Sequence, residues 1–186
     1  NIDKYIVGSI IIKENNHWFN RLIVASPDQE IKYYDKNHLF SYASEHKNYS
    51  PGQKELIITI EGVKIAFFIC YDLRFPVWCR NSNLKYDIAV YIANWPEKRR
   101  NQWITLLKAR AIENQSFVVG VNRIGDDGNK IHYSGDSAVY NYLGEKLSTT
   151  QPNEHKVENL SLNIDSLKDY RTKFPVYLDA DNFIIS

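Results

Sequence analysis

The chain has 186 residues, 44% hydrophobic and 13% aromatic, enough for one domain with a sizeable core. Its 23 basic and 22 acidic residues leave a formal net charge of +1, so the overall balance calls for no nucleic acid and no anionic membrane as partner. Two cysteines, Cys70 and Cys79, argue against a disulfide scaffold and for a cytoplasmic setting with reduced thiols, and no apolar stretch is long enough to span a bilayer.

Apolar, β-rich runs at 5–12, 19–25 and 30–34 predict three antiparallel neighbours, with turn signals at Glu14-Asn15-Asn16 and Ser26-Pro27-Asp28 between them. Residues 36–55 are polar and irregular, close with Ser50-Pro51-Gly52, and read as a long loop that carries function. Strands at 56–60 and 63–69 follow, joined by a tight Glu61-Gly62 turn. A short helix is expected at 75–83, ahead of a strand at 87–92. Residues 99–116 give the clearest helical pattern, with Trp103, Leu106, Leu107, Ala111 and Ile112 spaced for one face. Next come a strand at 117–122, a hairpin turn at Gly125-Asp126-Asp127-Gly128-Asn129, a strand near 136–140 and a last strand at 156–162. A helix at 165–172 ends before Phe174-Pro175, and the aromatic, acidic tail resembles a docking segment. This order predicts an α+β layered domain. The sequence contains no Met and opens almost directly into a strand-like run, as expected of a fold entered partway.

Cys70 ends the apolar run Val63-Lys64-Ile65-Ala66-Phe67-Phe68-Ile69 and opens the turn Tyr71-Asp72-Leu73-Arg74. A thiol at such an elbow is presented at the lip of a site, with backbone N–H groups nearby to hold an oxyanion. The competing reading is a buried, inert cysteine. A thiol attacks as thiolate and needs a base or a cation beside it. None of the five histidines sits in a motif that marks a catalytic base, and His132 is the one placed for a papain-like pair. Lys36 stands where a strand ends and the long loop begins, and an ammonium there can stabilise developing negative charge without acting as a base. Most lysines at strand ends are simply solvated. Glu45 could hold that lysine or be an ordinary loop acid.

Taken together, Lys36-Asn37-His38-Leu39-Phe40, Glu45 to Tyr49 with Gly52, Cys70-Tyr71-Asp72-Leu73-Arg74-Phe75-Pro76, Asn94-Trp95-Pro96 and Arg110-Ala111-Ile112-Glu113-Asn114-Gln115 resemble the nitrilase superfamily of carbon–nitrogen hydrolases. The Asn94-Trp95-Pro96 segment and the closing Lys173-Phe174-Pro175 with Asp179, Asp181 and Phe183 look most like its omega-amidase branch. The resemblance implies a four-layer α-β-β-α sandwich, a single domain over 1–186 lacking its first strand and helix portion, and a homodimer. It also implies cleavage of small amides of the 2-oxoglutaramate or 2-oxosuccinamate type through a thioester, with release of ammonia. Carried over position by position, Cys70 is the nucleophile, Lys36 the cation on the tetrahedral intermediate, and Glu45 the acid that orients the lysine and leaving group. The backbone N–H of Tyr71 supplies the oxyanion hole. The family's general-base glutamate, which precedes the first strand, has no match in this sequence.

The same triad would serve a nitrilase or an N-carbamoyl amine hydrolase, and a non-catalytic binding module is the remaining alternative. Trp95 reads either as a wall of the substrate pocket or as core packing, and a basic residue among Lys98-Arg99-Arg100 could hold a substrate carboxylate. Asp72 and Arg74 are expected to fix the elbow by pairing with each other or with neighbours, and Arg110 with Glu113 to pair on one helix face. His132, Tyr133 and Asp136 are candidates to line the site. No metal-ligand spacing and no phosphate-cradling glycine loop is present, so no cofactor is expected and water is the one co-substrate.

Overall fold

A computed structural model describes residues 3–184. The first three runs form an antiparallel sheet, β1 (Ile6–Glu14), β2 (His17–Ala25) and β3 (Ile31–Asp35), in that order. Asn15 and Asn16 both take positive φ, 47° and 67°, the conformation a tight hairpin between twisted strands requires and asparagine tolerates. The pairing Leu22↔Tyr34 and Val24↔Lys32 puts Leu22, Val24 and Tyr34 on one face, all buried in the core. On the opposite face Ile6, Ile10, Ile31 and Tyr33 are exposed.

The second sheet has five strands: β4 (Ile57–Ile60), β5 (Val63–Ile69), β6 (Ile88–Ala93), β7 (Phe117–Asn122) and β10 (Ala138–Tyr140). Its centre, β5-β6-β7, is parallel, and both edges are antiparallel. The parallel strands read as continuous apolar runs because both of their faces are covered. A separate hairpin, β8 (Ile124–Asp126) with β9 (His132–Ser134), encloses the Gly/Asp-rich turn.

Helix α1 (Arg100–Glu113) packs on β7 and β10 through Trp103, Leu107 and Ala111. Gly120 makes this close approach possible: a Cβ there would lie 2.4 Å from Leu107 Cδ1. Ile112, expected on the buried face, is exposed, and Arg110 takes a buried place beside Ala111. On the other side β2 meets β5, giving helix, large sheet and small sheet in layers: an α+β sandwich. Helix α2 (Ile164–Lys173) begins with the Asn163 side chain accepting from Ser166 N–H. It is anchored by the buried Arg171, which donates to Asp87 at 2.6 Å and to the carbonyls of Tyr86 and Gln115.

Two expected elements are absent from the described residues. No helix spans 75–83. A 3-10 turn, Cys70–Arg74, comes earlier, followed by one further turn closed by Cys79 N–H on the Phe75 carbonyl and by irregular chain. Pro76 brings no N–H to a helix here, and the buried Asn81 side chain takes over the backbone groups of Tyr86 and Asn114. No strand forms at 156–162 either. That segment is tied by Glu158 to the N–H and hydroxyl groups of Thr149 and Thr150, and these contacts replace a ladder.

Candidate active site

Cys70 follows the last residue of β5 with φ 46°. A left-handed backbone at a non-glycine residue costs on the order of 1–2 kcal/mol and persists only where the surroundings hold it. What holds it is Asp72. Its fully buried carboxylate accepts from Ile69 N–H at 3.0 Å and from the Tyr34 hydroxyl at 2.8 Å on one oxygen. The other oxygen receives His38 N–H at 3.0 Å and meets His38 Nδ1 at 2.9 Å. Tyr34 in turn accepts from Trp78 Nε1 and Asn37 N–H, and His38 stacks on Phe75 at 3.7 Å. Of the two alternatives, Asp72 therefore takes the second: it pairs with neighbours in the small sheet and its loop, not with Arg74.

The thiol of Cys70 points toward the carbonyl of Asn94, 3.8 Å away at the end of β6. Burial pushes this thiol above its ordinary range, against the pull of the Lys36 ammonium and the Asn94 contact. A thiol raised in this way needs a base to become the thiolate that attacks. The Tyr71 N–H lies in the first turn of the 3-10 segment, where helical geometry leaves donors without an intrahelical acceptor.

Lys36 continues β3 and is buried. Its Nζ donates to Glu45 Oε2 at 2.6 Å. That same oxygen receives Phe40 N–H at 2.6 Å, and Oε1 receives Asn20 Nδ2 at 3.2 Å. The loop between them is drawn in by Gly52, which donates its N–H to the Lys36 carbonyl and accepts from Asn37 Nδ2 at 2.8 Å. A Cβ at Gly52 would fall 2.0 Å from the Asp35 carbonyl oxygen, so only glycine fits.

Cys70, Lys36, Glu45, Tyr71 and Trp95 all line one cleft of about 780 Å³. Trp95 combines its two readings. It is 3% exposed and packs 5.5 Å from Trp103, yet it lines the cleft. Asn122, which the sequence did not single out, locks it: Oδ1 accepts Trp95 N–H at 2.7 Å, and Nδ2 donates to the carbonyls of Trp95 and Gly135. Arg110 makes the expected ion pair with Glu113 at 2.9 Å and also donates to the Leu73 carbonyl at 2.7 Å, tying α1 to the elbow. Of His132, Tyr133 and Asp136, only Tyr133 lines the cleft. His132 is held by Asp126 and Asn153, and Asp136 by Arg100, Ser134 and Trp103. Cys79 is buried, donates to the Asp72 carbonyl at 3.2 Å, and has its thiol pushed up to about 12 by desolvation. Among the described residues no group of three His, Cys, Asp or Glu side chains is arranged to hold a metal ion.

A sandwich of this topology with a strained cysteine, a buried ammonium and a carboxylate in one cleft defines a class of hydrolytic folds. The carbon-nitrogen hydrolase family model matches residues 2–172, and the chain belongs to that family. Omega-amidase YafV of Escherichia coli (strain K12) is 45% identical over 178 residues, covering 96% of this chain and 69% of that protein. The 2-oxoglutaramate amidase of Bacillus subtilis (strain 168) is 33% identical, covering 94% and 67%. The crystal structure of XC1258 from Xanthomonas campestris superposes with a TM-score of 0.95 at 41% identity. It covers 98% of this chain and 71% of the other, and it is described as a CN-hydrolase superfamily protein with an arsenic adduct in the active site.

Proposed function

We propose that this chain cleaves the C–N bond of small linear amides as an omega-amidase, with substrates of the 2-oxoglutaramate or 2-oxosuccinamate type. The observation that supports this most is the single cleft holding Cys70, the buried Lys36–Glu45 pair and the Tyr71 turn. The names of the similar E. coli and B. subtilis proteins agree with it.

In this mechanism a base takes the Cys70 proton and the sulfur adds to the amide carbonyl. The oxyanion sits between Lys36 and the Tyr71 N–H. Removing one such donor costs about 3–4 kcal/mol of barrier. Glu45 keeps the Lys36 ammonium aimed. Ammonia leaves with the proton, a thioester remains, and water attacks it to release the acid and restore the thiol. Glu45 is committed to Lys36, and the resemblance gives the role of base to a further glutamate that has no match in this sequence. We place the chain in the cytoplasm, where its two free cysteines stay reduced, and read it as a homodimer with small-molecule substrates. No described helix is long and apolar enough to cross a membrane.

The test is ammonia release from 2-oxoglutaramate, succinamate, a nitrile and an N-carbamoyl amine. The amides should be preferred, and Cys70→Ala should fold while losing turnover. Release by that variant, or preference for the nitrile, overturns the reading.

A further inference from the structure

Glu45 is fixed by contacts from two different parts of the chain. Its own loop holds its backbone: the N–H donates to the Phe40 carbonyl at 3.2 Å, and the carbonyl receives Asn48 N–H and Tyr49 N–H, each at 3.0 Å. On the carboxylate, Oε2 takes two donors from the segment just before it, Lys36 Nζ and Phe40 N–H, both at 2.6 Å. Oε1 takes Asn20 Nδ2 at 3.2 Å, a donor 25 positions upstream on β2. The partner orients the Asn20 amide, since a carboxylate oxygen accepts only from its NH2 end.

Asn20 sits where β2 outruns β3. The paired register ends at Arg21↔Asp35, and one step further the Asn20 carbonyl accepts Lys36 N–H at 2.9 Å. One residue therefore grips both partners of the ion pair, Lys36 through the backbone and Glu45 through the side chain. Asn20 is half-buried and lines the same cleft as both.

The Lys36 ammonium carries three N–H donors, and its one hydrogen bond among the described residues goes to Glu45 Oε2. Two N–H groups are left for an oxyanion. A carboxylate can engage a cation through both oxygens, and the terminal torsion of a glutamate is soft. With Oε1 released, a small rotation lets both oxygens close on Nζ, which draws the ammonium back and consumes a second donor. Asn20 Nδ2 occupies Oε1 and opposes that rotation.

We propose that Asn20 is a positioning residue of this site: by holding Oε1 it keeps Glu45 on Lys36 through one oxygen and leaves ammonium N–H groups facing the cleft. This rests on the amidase reading and adds a residue that acts through Glu45, not on the substrate.

Asn20→Ala removes the donor and should lower kcat for succinamate by roughly 10- to 100-fold with KM nearly unchanged, the range for a catalytic group misplaced by about 1 Å. Asn20→Asp supplies a readout that a purely structural role would not move. The introduced carboxyl faces Glu45, with Lys36 beyond it. Ionised, it repels Glu45; protonated, it donates to Oε1 as the amide does. Its kcat relative to the native protein should rise at least about 5-fold from about pH 8 to about pH 5.5, while the ratio for Asn20→Ala stays flat. Alkylation of Cys70 by iodoacetamide, located by mass spectrometry, needs no turnover. The ammonium favours the thiolate, so alkylation of Asn20→Ala near neutral pH should be roughly 3-fold slower. An unchanged kcat in Asn20→Ala, or an Asn20→Asp ratio that ignores pH, overturns the proposal. No ammonia from succinamate with the native protein overturns the hydrolase reading instead. The alkylation rates then decide the role of Asn20, and equal rates overturn it.

Discussion

The two walls of the cleft are built on opposite principles. On the wall made by β3, the following loop and the start of the elbow, the buried charges have partners: Lys36 meets Glu45, and Asp72 meets Tyr34, His38 and the Ile69 backbone. On the wall made by the segments after Asn94 and after Asp72, two guanidinium groups, those of Arg99 and Arg74, rest on aromatic rings with no oxygen among the described residues to accept from them. A buried charge stripped of its partner is costly, so the first wall is rigid and tolerates little change. A half-exposed cation stays hydrated and is free to take a ligand's charge in place of water. Fixed geometry suits a reacting bond, and open valence suits recognition.

The sharpest way to break the contrast is at Asp72. Asp72→Ala leaves the Tyr34 hydroxyl and two backbone N–H groups unsatisfied in the interior. It should cost about 3–5 kcal/mol of stability, read as a lower urea midpoint, and should slow turnover as the elbow relaxes. Glu45→Gln is next. It keeps the shape but not the charge that holds Lys36, and kcat should fall roughly 100-fold, about 2.7 kcal/mol of barrier, with the fold retained. A midpoint that drops as far as in the Asp72 variant would mean that Glu45 works as a structural group alone.

The smallest effect is on pH. Burial pushes Cys79 up to about 12, so the unfolded chain loses this proton at lower pH than the folded one. That contribution to stability is fully present below the ordinary thiol range and is lost as pH rises through it toward 12. Between pH 7.5 and 10 the loss should be about 1.5–2 kcal/mol, and Cys79→Ala should flatten the urea-midpoint profile by that amount. An equal slope in the variant would assign the alkaline loss to the buried tyrosines Tyr34, Tyr86 and Tyr91, whose hydroxyls are shifted in the same direction.

Much of the fold is legible in the sequence because its signals are local. Alternating strands, the Asn15-Asn16 and Glu61-Gly62 turns and the 3.6-residue pattern of α1 each act within a few positions, and they appear within two or three residues of the expected bounds. The proximity of Lys36 and Glu45 is accessible for the same reason, since nine positions of one loop separate them. Asp72 is different. Its partners stand 38 and 34 positions upstream, and Asn122 reaches 27 positions back to Trp95; only tertiary structure brings them together. The absent helix at 75–83 has the same root. Apolar residues such as Trp78 and Cys79 give a helix-like impression there, but they are buried by an irregular chain whose polar groups are satisfied by Asn81 and Asn114.

The positive φ at residue 70 sets durability against reactivity. The chain must carry a twisted backbone so that one sulfur can face the cleft, and glycine alone would sit there without steric penalty. Glycine there would remove the steric penalty, and with it the thiol, while adding conformational entropy to the unfolded chain. Under the proposed function, the elbow is a place where the molecule gives up stability for chemistry.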